Sequence, residues 1–562
     1  MKMLDDAQKC AVFHGTGPAL IVAGPGSGKT TVILHRIWYL VHHHHVPPEQ
    51  ILVLTFTKAA AKSLQLRFLS ICQGEVLPVM FGTFHSIFFQ ILTQYGSYKD
   101  FNIITIKEKY RLIKQMCVQE EGIIDSLVSL IGVLLNNPSA EIKRLLPCGI
   151  TLGQFQEIFQ RYLQLLKMEQ FMDLDQMASL SVELLSENRY ILKRLQEKYK
   201  WVIVDEFQDT NSYQYDFLRL LVSERKTLYV VGDDDQAIYS FRGSKPDVMY
   251  KVQMDFANIK TYYLTNNYRS CSRIVTAAKK VISNNKKRIS KTICSKSNMA
   301  GEMNLRNFQT VKEEYRFIIG QIEKLKETID LEEMAIIGRT NRQLEKIKTA
   351  FQIAKLEYKE ENREEKKAYS LVAKGLIELI ERILGISPKM HLWRKIETDT
   401  TLKSIDFWKD KHPRVFMHYL LKRTSLLKIL IELSNEQEEI GKDFDFFLSE
   451  SIKFKNLETF LDFVKKEKRA YKEHKRGINV LTMHGAKGLE FTYVCLIDIN
   501  EGIIPGKQCE TEEEMEEERR LLYVGMTRAK KILDVCYLKG TKEHPRLASR
   551  FLNPLIDELK KD

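Results

Sequence analysis

A run of small residues, Ala23-Gly24-Pro25-Gly26-Ser27-Gly28, leads directly into Lys29 and Thr30. Backbone N–H groups of a glycine-rich turn between a strand and a helix can wrap phosphate oxygens. At this spacing Lys29 reaches the β and γ phosphates of a nucleoside triphosphate, and the Thr30 hydroxyl holds Mg²⁺. The first position of the usual GxxxxGK(S/T) pattern is Ala23 rather than glycine. A second run, Trp201-Val202-Ile203-Val204, ends in the paired carboxylates Asp205 and Glu206. Beside a phosphate loop, Asp205 falls to the metal and Glu206 to the attacking water, as general base or water positioner. A third run, Val231 to Gly243, joins an amide able to sense the γ-phosphate, Gln236, to Tyr239, Phe241 and Arg242. Aromatic faces stack on bases and arginine meets the nucleic-acid backbone. The competing role for such aromatics is the core.

This chemistry needs elements that hold the loops in place. Short β-branched runs predict buried strands over 19–22, 51–55, 201–204 and 227–231. A second set follows over 334–337, 478–482, 493–497 and 532–537. Several end in a glycine or an acidic pair, as parallel strands do where they carry ligand loops. Two α/β cores are expected. Residues 86–197 show no convincing strand and read as helices, for example over 86–94 and 155–167, and residues 359–475 are helical in pattern as well. Each core should therefore hold a helical insertion. The acidic run 510–518 reads as the solvated first turn of a helix. His42, His43, His44 and His45 read as a solvated loop rather than a metal site.

The 562 residues include 86 Lys plus Arg against 73 Asp plus Glu, a net charge of +13. A basic balance with pI near 9.0 is compatible with a nucleic-acid partner. A hydrophobic content of 44% excludes wholesale disorder. No apolar run reaches the roughly 18 residues of a membrane span. The nearest, Ile123 to Leu135, is short and contains Asp125. The charged N-terminus lacks a secretory apolar stretch. Nine scattered cysteines without a CxxC pair argue against a zinc ribbon or a disulfide framework. A globular, cytoplasmic protein with no membrane association is expected.

Taken in order, the motifs resemble those of superfamily 1 DNA helicases of the UvrD/Rep type. They are Gln8 in LDDAQKCAV, the phosphate loop, TFTKAAAKSL from Thr55, GTFHS from Gly82, DEFQDTN from Asp205 and GDDDQAIYSFRG from Gly232. Then come NNYRS from Asn266, LTMHGAKGLEF from Leu481 and EERRLLYVGMTRAKK from Glu517. FMDLD from Phe171 resembles an acidic signature of the family's first insertion. The resemblance implies two RecA-like parallel-sheet cores, each interrupted by a mainly helical subdomain. The first core would be 1–85 and 198–265, with its insertion at 86–197. The second would be 266–358 and 476–562, with a shortened insertion at 359–475. It implies ATP and Mg²⁺ as cofactors, with Thr30 and Asp205 on the metal. The nucleotide set would be Gln8, Ala23 to Thr31, Tyr268, Arg269, Glu490 and Arg528. Gln8 would read the adenine edge, Tyr268 would stack on it and Glu490 would touch the ribose. Arg269 and Arg528 would reach the γ-phosphate from the second core. Lys29, Asp205, Glu206, Gln236, Arg269 and Arg528 would be catalytic. Phe56, Thr83, His85, Tyr239, Phe241, Arg242 and His484 would line single-stranded DNA.

The implied activity is an ATP-dependent DNA helicase or translocase moving 3′ to 5′. Its partners would be single strands and single-strand/duplex junctions, with a separate nuclease as a possible protein partner. Two alternatives stay open at this stage. One is a translocase that strips proteins and unwinds poorly. The other is a nucleotide-gated DNA-binding subunit of a repair or phage-defence complex.

Overall fold

Strand β1 (Ala19–Ala23) carries the phosphate loop at its C-terminal end, and all five of its residues are buried. It belongs to a six-stranded sheet with β2 (Ile51–Thr55), β3 (Met80–Thr83), β4 (Trp201–Val204), β5 (Leu228–Gly232) and β6 (Lys260–Leu264). In the computed structural model these pair in the order β3-β2-β4-β5-β1-β6, and every pairing is parallel. The structure describes residues 4–116, 121–137, 142–223, 227–240, 247–360, 366–368, 371–386, 405–423, 437–466, 469–471, 477–541 and 543–559. The inner strands read as continuous apolar runs because helices cover both faces.

A second six-stranded sheet follows. It contains β7 (Glu302–Phe308), β8 (Met334–Gly338), β9 (Tyr358–Glu360), β10 (Ile478–Thr482), β11 (Phe491–Leu496) and β12 (Ala529–Leu538), in the order β7-β12-β11-β8-β10-β9. Its resolved registers are again parallel. The fold is thus α/β with two parallel sheets. Five strands differ from expectation at their ends: β1 and β8 each run one residue further, β5 shifts to Leu228–Gly232, β11 to Phe491–Leu496, and β12 is longer at both ends. Four strands without a strong apolar run, β3, β6, β7 and β9, complete the edges of the sheets.

Between β3 and β4 lie helices, among them Phe84–Tyr95, Leu152–Met168 and Arg189–Lys198. One correction applies within this stretch. Asn102–Ile103 and Phe171–Met172 form a short parallel pair, too brief to leave an alternating pattern. Asp173, just after it, is buried and pairs with Lys109 at 2.8 Å, while Tyr162 donates to it at 2.7 Å. Asn136 donates to Asp175 at 2.9 Å and accepts from Asn211 at 2.9 Å. The acidic signature is therefore a buried anchor between the inserted helices and the loop after β4.

Residues Glu360–Lys475 form a compact unit of their own. Helices Leu371–Ile383, Pro413–Arg423, Gln437–Glu450 and Leu457–Lys466 close around Leu376, Phe416, Phe447 and Phe460. An antiparallel pair, Lys366–Ala368 with Arg469–Tyr471, accompanies them.

Thr511 caps helix Glu512–Met526, and Glu512, Glu513 and Glu514 occupy its first turn, where the helix dipole favours them. Further along, the expectation of a solvated acidic run fails. Glu516 and Glu518 are buried, with Glu518 holding Arg339 at 2.8 Å. The histidine run closes helix Lys29–His42 and stays exposed.

Candidate active site

Helix Lys29–His42 begins directly behind the phosphate loop, with Gly28 as its N-cap at φ 85°. Gly26 is also left-handed, at φ 64°. A Cβ on Gly28 would stand 2.6 Å from Gln8 Nε2, and one on Gly26 would stand 2.6 Å from Arg269 Cβ. Only glycine fits a turn this tightly enclosed. Ser27 donates to the Gly24 carbonyl at 2.7 Å. Gln8 braces the loop, donating to the Ser27 carbonyl at 2.9 Å and accepting from Asp5 N–H at 3.1 Å. Asn267 donates to the Pro25 carbonyl at 2.7 Å and, through its oxygen, accepts the Arg269 N–H at 3.0 Å. Tyr268 is half-exposed, and its N–H donates to the Gly26 carbonyl at 2.9 Å. Its hydroxyl donates to Asp5; burial and that carboxylate push the phenol up to about 12.

The carboxylate pair follows β4. Glu206 takes a left-handed backbone at φ 50°, unusual for a residue with a side chain. Its carboxylate lies 3.8 Å from Lys29 Nζ and accepts from Gln208 at 2.7 Å. The other end of Gln208 accepts the Asp233 N–H at 2.9 Å, so one amide joins the loops after β4 and β5. Burial, with Glu206 alongside, raises the proton affinity of Asp205. Burial would raise Glu206 too, but Lys29 and Lys487 outweigh it and hold Glu206 low. A divalent cation at Asp205 would relieve this crowding, and Thr30 lies in the first turn of helix Lys29–His42. The donor set of hydroxyl and carboxylate suits Mg²⁺.

Segments of the second sheet reach the same place. Arg528 is buried and donates to the Val524 carbonyl at 2.9 Å, the Leu489 carbonyl at 3.1 Å and the Gln236 side-chain oxygen at 3.2 Å. Burial and the adjacent Arg269 lower its proton affinity, yet a guanidinium stays charged at neutral pH. Arg269 pairs with Glu490 at 2.7 Å; burial would raise that carboxylate, but Arg269 and Lys530 draw it below the ordinary range. Gln236 is buried, and its amide donates to Asp233 at 2.5 Å.

Lys487 was not marked by motif reading. Its ammonium lies 2.7 and 2.6 Å from the two oxygens of Asp209 and 2.7 Å from the Gln236 carbonyl. It also stands 4.8 Å above the Tyr239 ring. Its place between His484 and Glu490 is the one available signal. Gln208, Asn267 and Asp5 were missed as well, because each acts on a partner distant in sequence or on backbone.

Phe56, Tyr239 and His484 follow β2, β5 and β10 respectively. The Phe56 and Tyr239 rings stack at 5.3 Å and 14°, and His484 lies 6.1 Å from Tyr239. His85 is partly exposed on the first turn of helix Phe84–Tyr95. Thr83 is buried and caps that helix, accepting the Ser86 N–H at 3.2 Å. Its hydroxyl thus has a structural task that motif reading did not foresee. Phe241 and Arg242 lie outside the described residues.

Asp233, Asp234 and Asp235 bring carboxylate oxygens within 4.8 Å of one another. They are not open to a metal, since Lys291 Nζ sits among them, 2.9 Å from Asp233 and 2.8 Å from Asp235. Among the described residues no helix is long and apolar enough to cross a membrane.

Residues 4–257 match the UvrD/REP helicase N-terminal domain, and residues 262–370 and 379–540 match the UvrD-like helicase C-terminal domain. The ATP-dependent DNA helicase Rep of Buchnera aphidicola is 28% identical, over 99% of this chain and 98% of its own length. A probable DNA helicase II homolog of Rickettsia felis is 29% identical, over 99% of this chain and 96% of its own. The ATP-dependent DNA helicase PcrA of Leuconostoc citreum is 28% identical, over 94% and 81%.

Proposed function

The chain belongs to the UvrD/REP helicase family, and from that premise we propose how its residues run an ATP-dependent DNA motor. It is an ATP-dependent DNA helicase, and the family's usual 3′ to 5′ polarity is the direction we assign. The first core is taken as 1–85 and 198–265, and the second as 266–358 and 476–562. The insertions are 86–197 and the shortened 359–475.

ATP binds with its phosphates in the loop 23–31, against Lys29 and Thr30. Gln8 and Tyr268 take the base and Glu490 the ribose. Thr30 and Asp205 are the residues that would hold Mg²⁺, which would screen the phosphate charge. Glu206, kept ionised by Lys29 and Lys487, accepts the proton of the attacking water. Arg269 and Arg528 neutralise charge developing on the transferred phosphoryl group. Gln236 links that end of the nucleotide to Tyr239, which with Phe56, His484 and His85 holds stacked bases. Phe241 and Arg242 are assigned to the strand in the same reading, and Thr83 acts by setting the helix that bears His85. Contacts to ATP favour the closed cleft, and loss of the γ-phosphate reopens it. Alternating grip on the strand then yields steps.

The observation that carries this reading is the convergence of Arg528 and Lys487, from second-sheet segments, on Gln236. Single-stranded DNA and single-strand/duplex junctions are the proposed partners, in the cytoplasm, with a nuclease-bearing protein as a further partner. The test is ATP hydrolysis with and without a single-stranded oligonucleotide, then unwinding of duplexes tailed at either end. Stimulated hydrolysis and unwinding from a 3′ tail are expected. Unstimulated hydrolysis, or unwinding from a 5′ tail alone, overturns the reading.

A further inference from the structure

Residues 285–295 form a strap that returns from helix Ser272–Ile282 to the short pairing of Cys294–Ser295 with Asn266–Asn267. That helix packs against helix Glu512–Met526 beside the second sheet. The strap faces the loop after β5. Arg288 grips Asp235 through Nε at 2.9 Å and its terminal nitrogen at 2.6 Å. The Ile289 N–H donates to Asp234 at 2.6 Å. Lys291 is the centre of the contact: its ammonium pairs with Asp233, Asp234 and Asp235 at once, and its side chain is 1% exposed. Beyond it, Ile293 fills the space over Gly24 of the phosphate loop.

Three successive buried carboxylates are held together only if cations meet them. Here those cations come from the strap, so the shape of the loop is set from outside its own core. Asp233 passes the constraint on. One of its oxygens meets Lys291, and the other accepts the Gln236 amide, whose oxygen in turn accepts from Arg528. Tyr239 lies three residues further along. A tethered loop of this kind can carry a change at Gln236 to Tyr239 as one body, whereas a slack loop would absorb it.

We propose that Lys291 is a positioning residue: by fixing Asp233 and its two neighbours it makes Gln236 and Tyr239 move together, and so sets how strongly a DNA strand stimulates ATP hydrolysis. This rests on the reading that Gln236 meets the γ-phosphate and Tyr239 the strand.

Lys291→Met alone leaves buried carboxylates uncompensated and can fail to fold. The decisive variant is therefore Lys291→Met with Asp234→Asn in the full chain, compared with Lys291→Arg. Melting temperature, hydrolysis without DNA, hydrolysis with saturating oligothymidine, KM for ATP and strand affinity are measured on each. For the double variant, strand-free hydrolysis, KM and strand affinity should stay within about threefold, while stimulated kcat falls at least ~10-fold. Lys291→Arg, which keeps the charge, should recover part of the stimulation. A parallel Gln236→Ala variant tests the underlying reading: hydrolysis unchanged with and without strand would overturn that reading separately. Wild-type stimulation in the double variant overturns the proposal. So does a proportional fall of stimulated and strand-free rates, or a double variant and Lys291→Arg that both fail to fold, since each marks a purely structural lysine.

Discussion

Arg269 and Arg528 meet the nucleotide site on different terms, and their variants should separate accordingly. Arg269 is partly exposed, pairing with the Glu490 carboxylate at 2.7 Å and donating to the Thr527 carbonyl at 3.3 Å. Arg269→Ala should lower kcat at least ~10²-fold and leave the melting temperature nearly unchanged. Arg528 satisfies two carbonyls from a fully buried position. Arg528→Ala should lower kcat and also destabilise the fold by about 1–3 kcal/mol, since those acceptors lose their donor. Stopped assays and thermal melting on the same preparations check both. Glu206→Gln should retain ATP binding, measured with a fluorescent analogue, while hydrolysis falls at least ~10²-fold. Equal hydrolysis in variant and wild type would remove Glu206 from the water. Motif spacing marks Lys29, Asp205, Glu206 and Gln236, and the family resemblance adds both arginines; Lys29 lies 3.8 Å from Glu206, and Arg528 donates to Gln236 at 3.2 Å. Lys487 and Lys291 escape such reading because nothing local announces a lysine whose partners lie 278 or about 57 residues away.

At the scale of elements, the eight strands legible in the sequence are the four inner strands of each sheet. These strands are largely buried on both faces and so read as mostly apolar runs, although β10 carries Asn479 and β12 the buried Asp534. The four that were not legible are the four edges. β6 reads KTYYL and β7 reads EMNLRNF, with exposed or half-exposed positions throughout most of their length. Edges carry polar side chains to discourage further pairing, and that same feature hides them from periodicity. The inserted helices depend on a buried ion pair rather than on apolar area alone. Lys109→Met leaves Asp173 uncompensated and should destabilise this region by about 3–5 kcal/mol, read as faster amide exchange over helices Ile106–Met116 and Leu152–Met168. Unchanged exchange there would show that the anchor is idle. Helix Val311–Leu325 offers a pH test. Glu314 is buried, accepts the Asp498 N–H at 3.1 Å and leaves its second oxygen without a hydrogen bond. Burial, with Asp498 nearby, raises its pKa far above the carboxylate range. Its stabilising protonated form is present in acid and lost as pH rises through the raised value. Glu314→Gln should thus gain melting temperature over wild type at about pH 8.5 but not at about pH 5.5. A difference that is constant with pH would mean that Glu314 does not titrate in the folded protein.

At the scale of the molecule, the net charge of +13 acts on a polyanion. The logarithm of the single-strand binding constant should fall linearly with the logarithm of salt concentration, because bound counterions are released on contact. Tyr239→Ala should lower that affinity by about 1–3 kcal/mol, through the lost stacking face, without altering the salt slope. Anisotropy titrations at several salt concentrations give both quantities. A changed slope with unchanged affinity would make Tyr239 a phosphate-side rather than a base-side residue. Composition alone suggested a nucleic-acid partner but no motor. The motor is legible in the order of the motifs, and the structure places those motifs on the loops of two sheets.

The close packing of Gln8 on Gly28 also bears on inheritance. Every missense change in a glycine codon adds a Cβ, and at Gly28 that atom would stand 2.6 Å from Gln8 on a backbone at φ 85°. The Gln8 amide can swing aside, but the left-handed backbone strains every residue with a Cβ, so among amino-acid codons only a change in the silent third base is free of cost. Under selection for the motor, lineages should diverge at this codon only synonymously. Gly153, in helix Leu152–Met168, has nothing within 4 Å of its Cβ position, and alanine there should drift in freely and add helix stability. The ratio of amino-acid-changing to silent substitutions at these two codons is therefore a fossil record of the shape of the phosphate loop.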